Sequence, residues 1–311
     1  MKKSNVITEG ALFSGIFIVL LLLTLFVPVI GFFSMFLTPI PFMVFTYKNG
    51  IKPGLMMAVV SILLATILAT VLSLPLALMA AFGGITIGAS LYLKKSTYET
   101  WALGSVAFGI GFMAVVFLGQ WLFELNMVQE INLLVEQSLQ TSKQLMEQFD
   151  NTEESIQLLE EQMDQIIYLI PTLIGFLGIF YAFITIWIGF KMINRLEKRS
   201  LSFPPFRKFS LPISAVWVYL IAMVLTWVFP EEGSVMNQAF INILTLTGYL
   251  FVIQGLAFIF YYVHVKNKSK GIAIAAIIVA ILLPFFLYPL RILGIIDLGF
   301  NLRERLTPNK E

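Results

Sequence analysis

Long apolar runs separated by short polar turns dominate this chain, and the runs are long enough to cross a membrane. A helix that spans the hydrocarbon core needs about 20 apolar residues. Runs of this kind lie at roughly 10–30, 32–47, 53–72, 75–93, 101–123, 167–190, 212–229, 237–263 and 271–290. They predict an all-α, polytopic transmembrane protein of about eight or nine spans. The second run holds Pro39 and Pro41, which predicts a short, kinked or partly re-entrant segment. Between about 124 and 166 the continuous pattern gives way to a 3-4 rhythm: Val128, Ile131, Val135, Leu145, Phe149, Ile156, Leu159, Met163 and Ile166. That is a coiled-coil-like stripe. Asp150-Asn151-Thr152-Glu153-Glu154 interrupts it, and Asn151 with Glu154 reads as the start of a new helix. Both ends must return to one membrane face, so the segment predicts an acidic helical hairpin turning near residue 150.

Composition supports the same reading. Hydrophobic residues make up 59% of the chain and charged residues 12%, about half the charge of a soluble domain. So few charges cannot cover a water-facing surface, so lipid takes the place of water. The 29 phenylalanines suit lipid-facing and helix-packing surfaces. A net charge of +2 gives no reason to expect nucleic acid. The chain has no cysteine and one histidine, His264, which excludes disulfides, thiolate metal sites and multi-histidine metal sites. The apolar run that begins at Ala11 is too long for a signal-peptide core and is expected to remain as the first helix.

The distribution of charge orients the spans. With the N-terminus in the cytoplasm, 15 of the 20 Lys and Arg residues fall on that side, and 12 of the 18 acids fall outside. Loops rich in Lys and Arg stay in the cytoplasm, so residues 124–166 are expected to be extracytoplasmic in a multi-pass protein of the cell membrane. The C-terminus is open to two readings. A ninth crossing would leave Arg291, Arg303, Arg305 and Lys310 outside, against the rule; otherwise the stretch after Pro284 turns back or lies in the interface. The expected organisation is a six-span membrane domain at 1–191 carrying the hairpin insert. A basic cytoplasmic loop follows at 192–211, then a three-span region at 212–311.

The two ends of the chain carry a family resemblance. Thr8-Glu9-Gly10-Ala11-Leu12 opens the first helix. Pro28, Pro39-Ile40-Pro41 and Lys48-Asn49-Gly50-Ile51-Lys52-Pro53-Gly54 follow, and Gly294-Ile295-Ile296-Asp297-Leu298-Gly299-Phe300-Asn301-Leu302-Arg303 lies near the end. Over essentially the whole chain this resembles the YybS-like family of bacterial membrane proteins, which implies no particular activity. More distantly, the first six spans resemble the substrate-binding S components of energy-coupling-factor vitamin transporters, and also the rod-shape protein MreD. The chain departs from the S components in its acidic hairpin and three extra spans.

Candidate sites are few. Gly10, Ala11, Ser14 and Gly15 form overlapping small-xxx-small pairs that let helices approach closely. In S components the comparable motif docks a coupling subunit, so the resemblance implies partner docking; ordinary internal packing is the alternative. Gln120, Glu124, Asn126, Asn242 and Gln254 are the polar groups in or bordering the spans, for a ligand or for interhelical hydrogen bonds. Arg291, Asp297 and Arg303 form a C-terminal ionisable group that either pins the last segment or anchors it at the surface. His264, at the end of the eighth span, reads as an interfacial side chain. No nucleotide-binding, nucleophile-elbow or metalloprotease motif is present, so neither an enzyme nor a cofactor is expected. Two function classes remain. The first is a scaffold or assembly component of a cell-envelope complex, with a membrane or envelope protein as partner. The second is an S-component-like subunit for a small apolar or lipid-like molecule, energised by a partner.

Overall fold

In the computed structural model, residues 2–124, 127–147, 168–231 and 233–306 are described. They are helical, with no strand among them. Two compact units divide at Phe203 and Pro204, inside the basic loop.

The first unit contains α1 (Lys2–Phe26), α2 (Pro28–Ser34), α3 (Ile40–Asn49), α4 (Ile51–Ala69), α5 (Leu74–Tyr92), α6 (Thr97–Phe123), α7 (Met127–Glu147) and α8 (Ile170–Glu197). The 32–47 run is therefore not one helix. It belongs to a broken pair, α2 and α3, that runs antiparallel to α1 along its length. Ser34 donates to the Leu20 carbonyl at 2.9 Å. Further along, Phe42 meets Phe17 with ring centroids 4.7 Å apart, Phe45 meets Phe13 at 6.0 Å, and Lys48 pairs with Glu9 at 2.6 Å.

Proline chemistry explains the break. In a continuous helix the Met35 carbonyl would accept from the amide of residue 39, and Pro39 has no N–H. A bare carbonyl in an apolar interior is costly. Here the Thr38 hydroxyl donates to it at 2.8 Å, and the Tyr181 hydroxyl, from α8, donates to it as well. Phe36, Phe108 and Phe112 surround the Tyr181 ring.

Small residues set the spacing of the other helices. On α5, a Cβ at Gly88 would meet the Met43 carbonyl oxygen at 2.5 Å. On α8, a Cβ at Gly178 would lie 2.7 Å from the Ser105 carbonyl oxygen of α6. Gly50 makes the tight turn from α3 to α4 at φ +92°, a conformation that suits glycine. Ser96 caps α6 by accepting from the Glu99 amide, while Glu99 pairs with Lys95. In α7, Ile131, Val135 and Ser142 are half-buried, whereas Leu133, Leu134 and Ser138 are exposed. Asp150 and the second arm of the expected hairpin, 152–166, lie outside the described residues.

The second unit contains α9 (Ser214–Val228), α10 (Val235–Val265), α11 (Lys270–Leu282), α12 (Leu287–Gly299) and α13 (Leu302–Leu306). The apolar run at 271–290 is two helices. At 1.5 Å per residue, the 13 residues of α11 reach about 20 Å, short of a hydrocarbon core of about 30 Å. The helix stops at Leu283, in extended conformation, just before Pro284. The chain then turns back. Leu290 and Gly294 pack against Phe251 and Gly255, and a Cβ at Gly294 would lie 3.0 Å from the Gly255 amide nitrogen. Later in α12, Asp297 meets Gln254; past its end, the Arg303 carbonyl meets Tyr261. Positions on α12 and α13 thus rise together with positions on α10. The two run parallel, and α11 and α12 form a there-and-back pair whose C-terminal end lies beside the His264 end of α10.

Candidate functional site

The most developed polar site lies within the second unit, around Asp297. Its side chain is 1% exposed. It accepts from Gln254 Nε2 at 2.6 Å and from Arg303 Nε at 3.0 Å, and Arg303 Nη2 pairs with it at 2.9 Å. Gln254 in turn accepts the Leu211 amide at 3.0 Å through Oε1. Arg303 Nη1 donates to the Arg207 carbonyl at 3.2 Å, and the guanidinium sits 5.4 Å from the centre of the Tyr261 ring. Asp297 can accept from both partners because α12 ends at Gly299. Asn301 then takes a positive φ of 49°, a conformation asparagine tolerates better than most residues, which folds Arg303 back over the carboxylate. The result pins three pieces to one another: α10, the segment 207–211 and the C-terminal helices. Every strong acceptor here already has its donors, so the arrangement suits holding structure in place rather than proton or group transfer.

The residues singled out in the sequence separate in the structure. Arg291 is not part of the Asp297 group. Six residues along a helix amount to 600° of rotation, which places Arg291 on a different face of α12, against Gly248 and the Tyr288 ring. Asn242 is buried and donates to the Gln238 carbonyl of its own helix at 2.7 Å. Gln120 and Glu124 are exposed, Glu124 as the left-handed residue that ends α6. Asn126 lies outside the described residues. His264 is exposed at the end of α10. Among the described residues no group of three or more His, Cys, Asp or Glu side chains could hold a metal ion.

The small-residue motif of α1 also divides. Ser14 is buried and accepts from Ser61 of α4 at 2.9 Å, and a Cβ at Gly10 would lie 3.2 Å from Phe45. Ala11 and Gly15 point the other way. Both are exposed, and nothing lies within 4 Å of where a Gly15 Cβ would be. With Leu12, Ile16, Val19 and Leu20 they line a shallow, open, apolar groove of about 520 Å³ along the outside of the helix.

Two features could not be taken from the sequence pattern. One is Tyr181 at the broken second span. The two prolines signal that a carbonyl is stranded and Thr38 offers a local donor, but nothing local shows that Tyr181 reaches it as well. The other is a polar cluster at one end of the first unit, where Lys48 lies 2.6 Å from Glu9 and 3.5 Å from Glu197, with Asn49 beside Glu9. It ties the start of α1 to the ends of α3 and α8.

Comparison with known proteins agrees with this architecture. No solved structure matches the chain. The Uncharacterized protein YybS of Bacillus subtilis (strain 168) is 30% identical over 309 residues, covering 98% of this chain and 100% of the relative. The sequence profile of the predicted membrane protein family DUF2232 matches residues 15–298, from within α1 to the last turn of α12. With the multi-pass helical fold and a relative aligned end to end, the chain belongs to that family of membrane proteins.

Proposed function

We propose that the chain is a non-enzymatic scaffold or assembly component of a cell-envelope complex, and that the outer face of α1 docks a helix of a membrane partner. The observation that carries this reading is a contrast within the first unit. Its interior is filled by large side chains, Phe17, Phe42, Phe45, Phe108 and Tyr181, all nearly inaccessible. The Ala11 and Gly15 face stands open instead. Helix association in lipid depends on close backbone approach and dispersion contacts, which such a face provides and a packed interior does not. In the orientation set by the basic loops, α7 projects outside the cell, where an envelope partner would meet it.

A second reading, an S-component-like subunit for a small apolar molecule, draws on the same outward pair and on the broken second span, since interrupted helices line substrate sites in several transporters. Here Tyr181 and the surrounding rings occupy that break, which favours the scaffold.

Two substitutions five residues apart, on different faces of α1, test the proposal. Gly15→Leu fills open space, so the protein should insert and elute normally in mild detergent while losing a protein that copurifies with the wild type. Gly10→Leu drives into Phe45 and should lower stability instead. If Gly15→Leu leaves both partners and stability unchanged, that face meets lipid and the docking proposal fails. A small molecule copurifying in stoichiometric amount would favour the second reading.

A further inference from the structure

Arg291 is the residue in the second unit that the Asp297 network leaves out. It lies on α12 near the turn of the there-and-back pair, and its guanidinium rests on Gly248 of α10, where a Cβ would stand 2.9 Å from Cζ and 3.0 Å from Nε. At 1.5 Å per residue, Gly248 is about 20 Å from the Val235 end of α10 and about 25 Å from the Val265 end. That places the charge near the middle of the longest apolar helix. The Tyr288 ring lies 5.4 Å away, and Nε is buried with no hydrogen-bond partner among the described residues. None of the ion pairs among the described residues includes Arg291. The start of α12 lies about one turn away, and its field has the same sign, so it does not offset the charge.

A cation at this depth is costly unless an anion meets it. We propose that Arg291 is a docking charge for a carboxylate borne inside the membrane by a transmembrane helix of another protein. Depth selects the occupant, because lipid phosphates sit at the edges of a core about 30 Å thick. The face beside Arg291 fits a helix: Phe285, Tyr288 and Ile292 are all exposed. A second copy of this chain does not supply the acid. Asp297 is the acid that the sequence sets inside an apolar run, and Arg303 and Gln254 already hold it. This proposal stands on the second unit alone and does not rest on the reading of α1.

The test uses the full chain in phosphatidylcholine vesicles at pH 8 with synthetic leucine-rich transmembrane peptides carrying one central Glu or one central Gln. Association is read by energy transfer between a dye on the peptide and a dye on the protein. The wild type should bind the Glu peptide at least about tenfold more tightly than the Gln peptide. Arg291→Lys should keep that preference and Arg291→Met should lose it. Equal binding of the two peptides by the wild type overturns the proposal without reference to any variant's folding, and so does a preference that survives in Arg291→Met. A lipid headgroup is the rival occupant. If the peptides bind equally while phosphatidylglycerol is retained by the wild type and not by Arg291→Met in native mass spectrometry, the headgroup is the ligand and the protein-helix proposal is wrong.

Discussion

Replacing Asp297 by alanine should release the C-terminal helices from α10 without unfolding the first unit. The substitution removes the acceptor for Gln254 at 2.6 Å and for Arg303 Nε at 3.0 Å, and with it the ion pair to Arg303 Nη2 at 2.9 Å. Breaking a buried ion pair from one side costs about 3–5 kcal/mol, mostly because a charge is left without its counterpart. Arg303 keeps 18% exposure and its bond to the Arg207 carbonyl, so the lower end applies, about 3 kcal/mol. At 1.4 kcal/mol per factor of ten, local opening becomes more frequent by roughly 100-fold. Amide hydrogen exchange in detergent micelles reads such opening directly. Exchange should quicken by that order across residues 294–306 and stay unchanged in α4 and α5. Adding Arg303→Met should recover part of the loss, because the stranded cation goes with it. Unchanged exchange in Asp297→Ala, or a double variant less protected than the single one, would show that the network contributes nothing to holding the segment.

Two further outcomes follow from the helix breaks. Tyr181→Phe should lower stability by about 1–2 kcal/mol, read as a lower unfolding temperature in detergent, and Pro39→Ala in that background should restore part of it by giving Met35 an amide donor. A Tyr181→Phe protein as stable as the wild type would remove Tyr181 from the account of the break. The chain has no native cysteine, so cysteines placed at Lys268 and Arg305 can be labelled with an impermeant thiol reagent; both should react from the same side of the membrane, opposite to one at Lys143. Labelling of 268 and 305 from opposite sides would refute the there-and-back path of α11 and α12.

The helices that the apolar runs describe well are those whose backbones need nothing from elsewhere. The runs that became α4, α5 and α8 read directly as helices because length and hydropathy decide a membrane helix once its amides bond within it. At the two proline breaks the sequence showed that the chain is interrupted but not how, because a second decision enters there: what satisfies the stranded backbone. Thr38 is a local donor to Met35, but the second hydroxyl, Tyr181, is 146 residues away, and no local pattern encodes that distance. At the other break, a turn and a crossing both leave an apolar run ending in proline; contacts between α12 and α10 choose between them. The site was partly legible for a similar reason. Asp297 and Arg303 stood out as charges in apolar surroundings, but their spacing suits a helix poorly, and the left-handed Asn301 that brings them together gives only a weak signal. Arg291 was near them in sequence and on another face in space. The α1 motif gave four small residues without showing which two looked outward, since that depends on where α3 and α4 pack.

The dependence of Met35 on Tyr181 also bears on how the protein is made. Chains grow at about 5–20 residues per second, so Tyr181 follows Met35 out of the ribosome by roughly 7 to 30 s. Throughout that interval the second span is in the membrane, or waiting at its edge, with Thr38 as the local donor to the carbonyl that Pro39 leaves open. The break therefore completes late, after α4, α5, α6 and α7 have been synthesised, and its completion is timed by α8 rather than by its own translation. A chain that ends before Tyr181 would keep only Thr38, among the described residues, as side-chain donor to the Met35 carbonyl.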